Sequence, residues 1–167
     1  MTQVPSRSLR RAALIAAVTT VQIFSALPAG AQSNPVSIMN GSWAGGGSIT
    51  LASGARERVN CRGAYSAPGG PGFTLALRCA SDSYTFDFRA TGNYTAGGAI
   101  AGQWDESFSR ASGTFTGTAR GAYLEARAES TAFSAVLGMS THGNRQSIAI
   151  RSPGNALSEV NITMSRR

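Results

Sequence analysis

The sequence predicts an all-β domain: a single antiparallel up-and-down β-barrel of about eight to ten strands, with a β-sandwich as the alternative. Three observations lead to that fold class. Helical signals are nearly absent after residue 31, and the frequent glycines break long helices. Short stretches of alternating apolar and polar residues recur instead, separated by Gly, Ser, Asn and Pro. These stretches follow one another closely, which favours sequential hairpins and a meander.

A closed barrel is favoured over a sandwich by the glycines within the candidate strands, because glycine suits a tightly curved sheet. Closure also removes the edge strands that invite aggregation. The membrane-spanning type of barrel fits less well, since the polar faces carry many charges and the strands are short. We therefore expect a protein that is not integral to a membrane.

The N-terminus has the order of a secretory signal peptide. Residues 1–11 contain three arginines, residues 12–27 are largely apolar, and residues 29–31 form a small-x-small cleavage site. The apolar run is shorter than the ~20 residues that span a bilayer. We expect cleavage after Ala31 and a periplasmic or secreted protein.

The chain therefore divides into three parts. Residues 1–31 are the expected signal peptide, residues 32–40 a flexible N-terminal segment, and residues 41–167 the barrel domain. The first strand is expected from Trp43 through the triple glycine 45–47 to Leu51. A domain of this length can bury a core without metals.

The next two candidate strands carry the two cysteines. Val59 and Cys61 face one side of the first strand, and Leu77 and Cys79 face the same side of the second. The Pro/Gly-rich segment 66–72 between them is a loop. We predict a hairpin in which Cys61 and Cys79 form a disulfide across that loop, with Gly63 near Leu77. Closing a loop of this length contributes about 3 kcal/mol in the chain-entropy model.

Further inward faces follow along the chain in the same alternating pattern. They are formed by Tyr84, Phe86 and Phe88; by Ile100, Gly102 and Trp104; by Phe115; by Phe133, Ala135, Leu137 and Met139; by Ile148 and Ile150; and by Val160, Ile162 and Met164. The segment 123–127 suits either a strand or a helix. Residues 141–144 are expected to form a tight turn.

Charge and composition argue against a nucleic-acid partner. The whole chain has a net charge of +7; without the three leader arginines, 12 basic residues stand against 8 acidic ones, a net charge of +4. The arginines are scattered singly instead of being clustered among aromatic residues, as a nucleic-acid site would require.

No pattern in the sequence predicts catalysis, a metal site or a cofactor. The single histidine, His142, lies in the expected turn, where a solvated role is favoured. Asp105 and Glu106 are the only adjacent acidic pair, and neighbours on a strand point to opposite faces. Solvated surface charges are the expectation for both, and we expect a protein that is not an enzyme.

The aromatic residues allow two interpretations. They either fill the barrel, or some of them line a cavity, because a small barrel is just wide enough for side chains or for one ligand. On the second interpretation the candidate ligand-binding residues are Trp43, Phe86, Phe88, Trp104 and Phe133, with an arginine near the mouth pairing with an anionic head group.

Segments 57–62, 77–81 and 102–106 resemble a family of small exported alphaproteobacterial proteins of uncharacterised function. That resemblance implies export and a β fold and brings no catalytic residues. Trp43 in a Gly-rich first strand, together with one disulfide, is also similar to small periplasmic barrels, including lipocalin-like binders and inhibitors. Fold alone does not assign function.

The sequence thus predicts a non-catalytic exported protein that binds a small apolar or amphipathic ligand in a β-barrel. The alternative is a protein-interaction module of the cell envelope, such as an enzyme inhibitor or a surface component. In that case the loop 66–72, held at its base by Cys61 and Cys79, would make the contact.

Overall fold

The computed structural model describes residues 35–131 and 134–167, which form one short 3₁₀ helix and ten strands. The helix spans Pro35–Met39. The strands are β1 Gly41–Leu51, β2 Arg56–Ser66, β3 Gly72–Ala80, β4 Thr85–Tyr94, β5 Ala99–Glu106, β6 Ala111–Arg120, β7 Tyr123–Glu129, β8 Ser134–His142, β9 Arg145–Arg151 and β10 Leu157–Arg166. The expected signal peptide, residues 1–31, lies outside the described residues.

Each strand pairs antiparallel with the next, and β1 pairs antiparallel with β10, so the sheet closes into a barrel. This confirms the predicted up-and-down barrel over the sandwich alternative. The ambiguous segment 123–127 lies within strand β7, which pairs with β6 and β8. Among the described residues, no helix is long and apolar enough to cross a bilayer.

The triple glycine in β1 permits a close approach between β1 and β10. A Cβ atom on Gly45 would overlap the carbonyl oxygen of Thr163, and one on Gly47 would overlap that of Asn161. Any other residue would push these two strands apart where the barrel closes. Both positions therefore require glycine for steric reasons.

The barrel has two different ends. The 3₁₀ helix lies at the end where β1 begins and β10 finishes, together with the turns at 67–71, 95–98, 121–122 and 143–144; we call this the helix end. The connections at 52–55, 81–84, 107–110 and 152–156 lie at the opposite end, which we call the far end. Val36 and Met39 of the helix are buried against the barrel core.

Trp43 fixes the helix at its end of the barrel. Its indole Nε1 donates to the carbonyl of Met39 at 2.8 Å, and its ring meets Tyr65 edge-to-face at 6.4 Å. The Arg166 guanidinium lies 4.4 Å from the centre of the Trp43 ring and donates to the carbonyls of Ile38 and Asn40. Residues 35–39, which the sequence analysis placed in a flexible segment outside the barrel domain, are thus packed onto it.

A buried polar chain lies beneath this helix. The Tyr65 hydroxyl donates to Oε1 of Gln146 at 2.7 Å, and Nε2 of Gln146 donates to the Thr141 hydroxyl at 3.1 Å. Burial raises the pKa of Tyr65 far above its usual range, and the bond to Gln146 opposes this only in part. Tyr65 therefore stays protonated and serves as a permanent donor.

The predicted disulfide is confirmed, because Cys61 and Cys79 are bonded and lie directly opposite each other with Cα atoms 4.1 Å apart. Gly63 faces Leu77, as predicted. The disulfide does not hold the base of the loop 66–72, however, because it lies five residue pairs beyond the closing pair of the hairpin. The side chain of Asn40 holds the loop instead, bonding both the amide and the carbonyl of Ala67.

Candidate functional site

The far half of the barrel encloses a cavity of about 370 Å³. Its wall is formed by apolar side chains that point inward from the eight strands β3 to β10, since alternate residues of a strand share one face. They include Leu75, Leu77, Phe86, Phe88, Trp104, Leu137, Met139, Ile150 and Val160. Wider depressions of about 510–610 Å³ lie elsewhere, but they are shallow and open to solvent. The barrel is therefore not filled by its side chains.

Three of the candidate ligand-binding residues come together in this wall: Phe86, Phe88 and Trp104. The rings of Phe88 and Trp104 stack with centroids 5.7 Å apart. The indole Nε1 of Trp104 donates to the carbonyl of Thr114 on β6 at 3.1 Å, which fixes the ring orientation. Stacked rings with a satisfied N–H give a rigid apolar surface.

The other two candidates are not brought to this wall by the described structure. Trp43 lies at the helix end beneath the 3₁₀ helix, with only 1% of its surface exposed, and belongs to the packed core there. Phe133 lies outside the described residues. Each interpretation of the aromatic residues therefore holds for a different part of the barrel. Trp43 at the helix end belongs to the packed core, and Phe86, Phe88 and Trp104 in the far half line a cavity.

Polar side chains occur where the cavity reaches the far end: Tyr84, Glu106, Ser109, Ser152 and Asn155. Glu106 accepts four hydrogen bonds. Oε1 accepts hydrogen bonds from the backbone amides of Asp87 and Phe108 at 3.0 Å each. Oε2 accepts hydrogen bonds from the backbone amide and the hydroxyl of Ser109. Partial burial raises the pKa of Glu106, but these bonds together outweigh it and leave the pKa below its usual value.

The sequence predicts solvated surface charges for both members of the acidic pair, and this prediction is wrong for Glu106. Asp105 is exposed, as expected, whereas Glu106 lines the cavity at its rim. The alternation of side chains along β5 indicates the inward position of Glu106. Glu106 is two residues beyond Trp104 and therefore shares its inward face.

The loops around the cavity mouth are held by short polar contacts. Glu57 on β2 accepts bonds from Ser81 and Ser83, and these bonds lower its pKa. The Ser152 hydroxyl donates to the carbonyl of Ser134 at 3.1 Å, and Nδ2 of Asn155 donates to the Ser152 hydroxyl at 2.6 Å. The connections 81–84 and 152–156 are therefore each bonded to a neighbouring strand.

A second, smaller chamber of about 60 Å³ lies beyond the main cavity towards the helix end. Val36 and Met39 of the 3₁₀ helix contribute to its lining, and no polar atom is exposed in it. Five residues line both chambers and therefore lie between them: Leu75, Phe88, Ala128, Leu137 and Met139. The interior is thus one apolar column interrupted by side chains.

His142 lies away from the cavity. It is exposed at the helix end, where its ring meets that of Tyr123 edge-to-face at 5.7 Å. Across residues 35–131 and 134–167, no group of three or more His, Cys, Asp or Glu side chains is placed to hold a metal ion.

Neither a protein-family model nor a curated protein matches this sequence. Solved structures do match its fold. Rv2717c from M. tuberculosis has a TM-score of 0.62 at 15% identity, and the match covers 83% of this chain and 98% of that one. The S-type phycobiliprotein lyase CPES from Guillardia theta has a TM-score of 0.54 at 11% identity, covering 79% and 90%. At these identities the similarity shows the fold, which agrees with the likeness to small β-barrel proteins drawn from Trp43 and the disulfide.

Proposed function

We propose that this protein is a non-catalytic binding protein that holds one small apolar or amphipathic molecule inside its barrel. The observation that carries the proposal is the cavity of about 370 Å³, which is walled by Phe86, Phe88, Trp104 and aliphatic side chains. Pockets for small molecules have volumes of about 300–1,000 Å³, mostly apolar walls and a few polar groups that orient the ligand.

The distribution of polar groups supports an amphipathic ligand. The polar lining residues are gathered at the far end, and the smaller chamber beneath the helix is wholly apolar. A ligand would place its apolar part along Phe88 and Trp104 and its polar part at the rim.

Glu106, Ser109, Ser152 and Asn155 at the mouth have structural partners, which supports a binding role over a catalytic one. Glu106 is bonded by the loop that follows it, and Ser152 and Asn155 bond to each other and to neighbouring backbone. A general base or a nucleophile would instead point a side chain at the space where a substrate reacts.

We place the protein outside the cytoplasm, in the periplasm or secreted. The buried disulfide between Cys61 and Cys79 supports this, because disulfides persist in oxidising compartments. The order of a positive segment, an apolar run and a small-x-small motif in residues 1–31 supports it as well.

The decisive experiment measures binding of a neutral, environment-sensitive dye such as Nile red to the delipidated protein. We expect saturable binding, abolished in Ala128→Phe, since Ala128 lines both chambers and the larger ring would occupy the interior. Ala101→Phe is the matched control, because Ala101 lies on β5 with its side chain exposed. Dye binding that is equal in both variants, or absent in the parent protein, contradicts the proposal.

A second measurement identifies the natural ligand. Native mass spectrometry of the protein purified from its own cell envelope should show a bound small molecule, which is lost in Ala128→Phe. A parent protein that carries no extra mass and binds no dye would falsify ligand binding.

A further inference from the structure

Among the described residues that line the main cavity, Glu106 is the only one with a charged side chain. The ligand-binding interpretation of the sequence predicts an arginine near the mouth, where it would pair with an anionic head group. The lining contains a carboxylate in that place instead. The charge in the described lining therefore has the opposite sign to the one that would pair with an anionic head group.

Glu106 also lies where the polar end of a ligand would lie. It shares the inward face of β5 with Trp104 and ends that strand at the rim, directly opposite Phe88 on β4. A tail packed along the stacked rings of Phe88 and Trp104 would bring its head group beside this carboxylate.

The four hydrogen bonds to Glu106 keep its charge in place. They come from three backbone amides and one hydroxyl, so both carboxylate oxygens are engaged. The carboxylate then acts on a ligand through its electric field, which is stronger beside an apolar cavity than in water because the effective dielectric constant is lower.

Arg110, in the same connection, does not offset this charge. Its side chain is exposed and is not part of the cavity lining. Water and salt weaken the field of an exposed charge, whereas a half-buried carboxylate is screened less.

We propose that the cavity takes neutral or cationic amphiphiles and disfavours the corresponding carboxylates, with Glu106 as the residue that sets this preference. The inference rests on the proposed binding function and adds the chemical class of the head group to it.

The test compares three molecules with the same tail, dodecanol, dodecyltrimethylammonium and dodecanoate, as competitors of Nile red at neutral pH and low salt. We expect dodecanoate to bind about tenfold more weakly than dodecanol, as one like charge at partial screening would produce. Glu106→Gln should remove most of this gap, that is, of the difference in affinity between dodecanol and dodecanoate. Asp105→Asn removes the same charge from the exposed neighbour and should leave the gap unchanged.

A measurement on the parent protein keeps the test decisive if Glu106→Gln fails to fold. Rising salt should narrow the gap between dodecanol and dodecanoate, because screening shortens the reach of the carboxylate. Equal or tighter binding of dodecanoate, or a gap that is insensitive to salt, overturns the head-group preference while leaving ligand binding intact. Failure of all three molecules and of the dye to bind removes the proposed function itself.

Discussion

Phe88 and Trp104 stack with ring centroids 5.7 Å apart and ring planes 21° apart, although neither lies directly opposite the other on the paired strands. Trp104 faces Ala90 across the β4–β5 pair, and Phe88 faces Glu106. The small Ala90 leaves room for the indole to lean along the strand towards Phe88. The wall of the cavity thus depends on a diagonal pair.

This pair predicts a site-specific fluorescence response. Dodecanol binding should change the tryptophan emission of the parent protein and of Trp43→Phe, because Trp104 lines the cavity and Trp43 does not. Trp104→Phe should still bind Nile red but lose the response. A response that disappears in Trp43→Phe, in a variant with unchanged circular dichroism, would contradict the placement of the ligand.

The position of Met139 between the two chambers predicts how affinity depends on the length of the ligand's tail. In a series of alcohols from hexanol to hexadecanol, affinity should rise about fourfold per CH₂ until the main cavity is full, following the ~0.8 kcal/mol gained per buried CH₂. Met139→Ala removes a side chain that lies between the two chambers, so the rise should continue to longer alcohols.

Met164→Ala is the matched control for this series. Met164 is fully buried but lines neither chamber. Each variant should lose about 2–5 kcal/mol of unfolding free energy. Only Met139→Ala should shift the length at which affinity stops rising, and an equal shift in both would contradict the two-chamber arrangement.

The disulfide predicts a specific loss of stability. Replacing both Cys61 and Cys79 with alanine should lower the free energy of unfolding by about 3 kcal/mol, because the unfolded chain regains the freedom of the loop between them. Urea denaturation measures the change, and reductant should lower the midpoint of the parent protein but not of the double variant. An unchanged midpoint in both experiments contradicts this prediction.

Glu106 predicts how stability depends on pH. Its pKa lies below the usual 4.5 in the folded chain, so the unfolded chain binds more protons once the pH falls below that value. The stabilisation from Glu106 is therefore present above the unfolded pKa and is lost as pH falls through the folded pKa. Glu106→Gln should be less stable than the parent at pH 7, by a difference that shrinks on acidification. Urea midpoints across this range test it, and a constant difference contradicts it.

The cysteine hairpin shows what alternation alone can predict. Val59, Cys61 and Leu77 fixed both the inward faces and the register, so the disulfide and the Gly63–Leu77 pairing followed from the sequence. The segment 123–127 stayed ambiguous because Leu124 and Ala126 also suit a helix. It forms a strand because it pairs with β6 and β8. The local sequence pattern carries no information about that pairing.

The candidate site was predictable only in part. Alternation placed Phe86, Phe88 and Trp104 inward, but whether inward side chains leave a space depends on barrel width and on their summed volume. Trp43 has the same inward pattern, yet it packs beneath the 3₁₀ helix, whose position depends on the distant Arg166. Contacts between residues this far apart in the chain leave no periodic signal.

The pairing of β1 with β10 places the first and last strands of the barrel side by side. It is the pairing with the largest sequence separation, so contact order makes it the most costly in loop entropy. The other strand pairs connect neighbours in the chain and can form hairpin by hairpin. Closure of the β1–β10 seam is therefore expected to be the late event of folding, and until then β1 and β10 present unpaired edges to other chains.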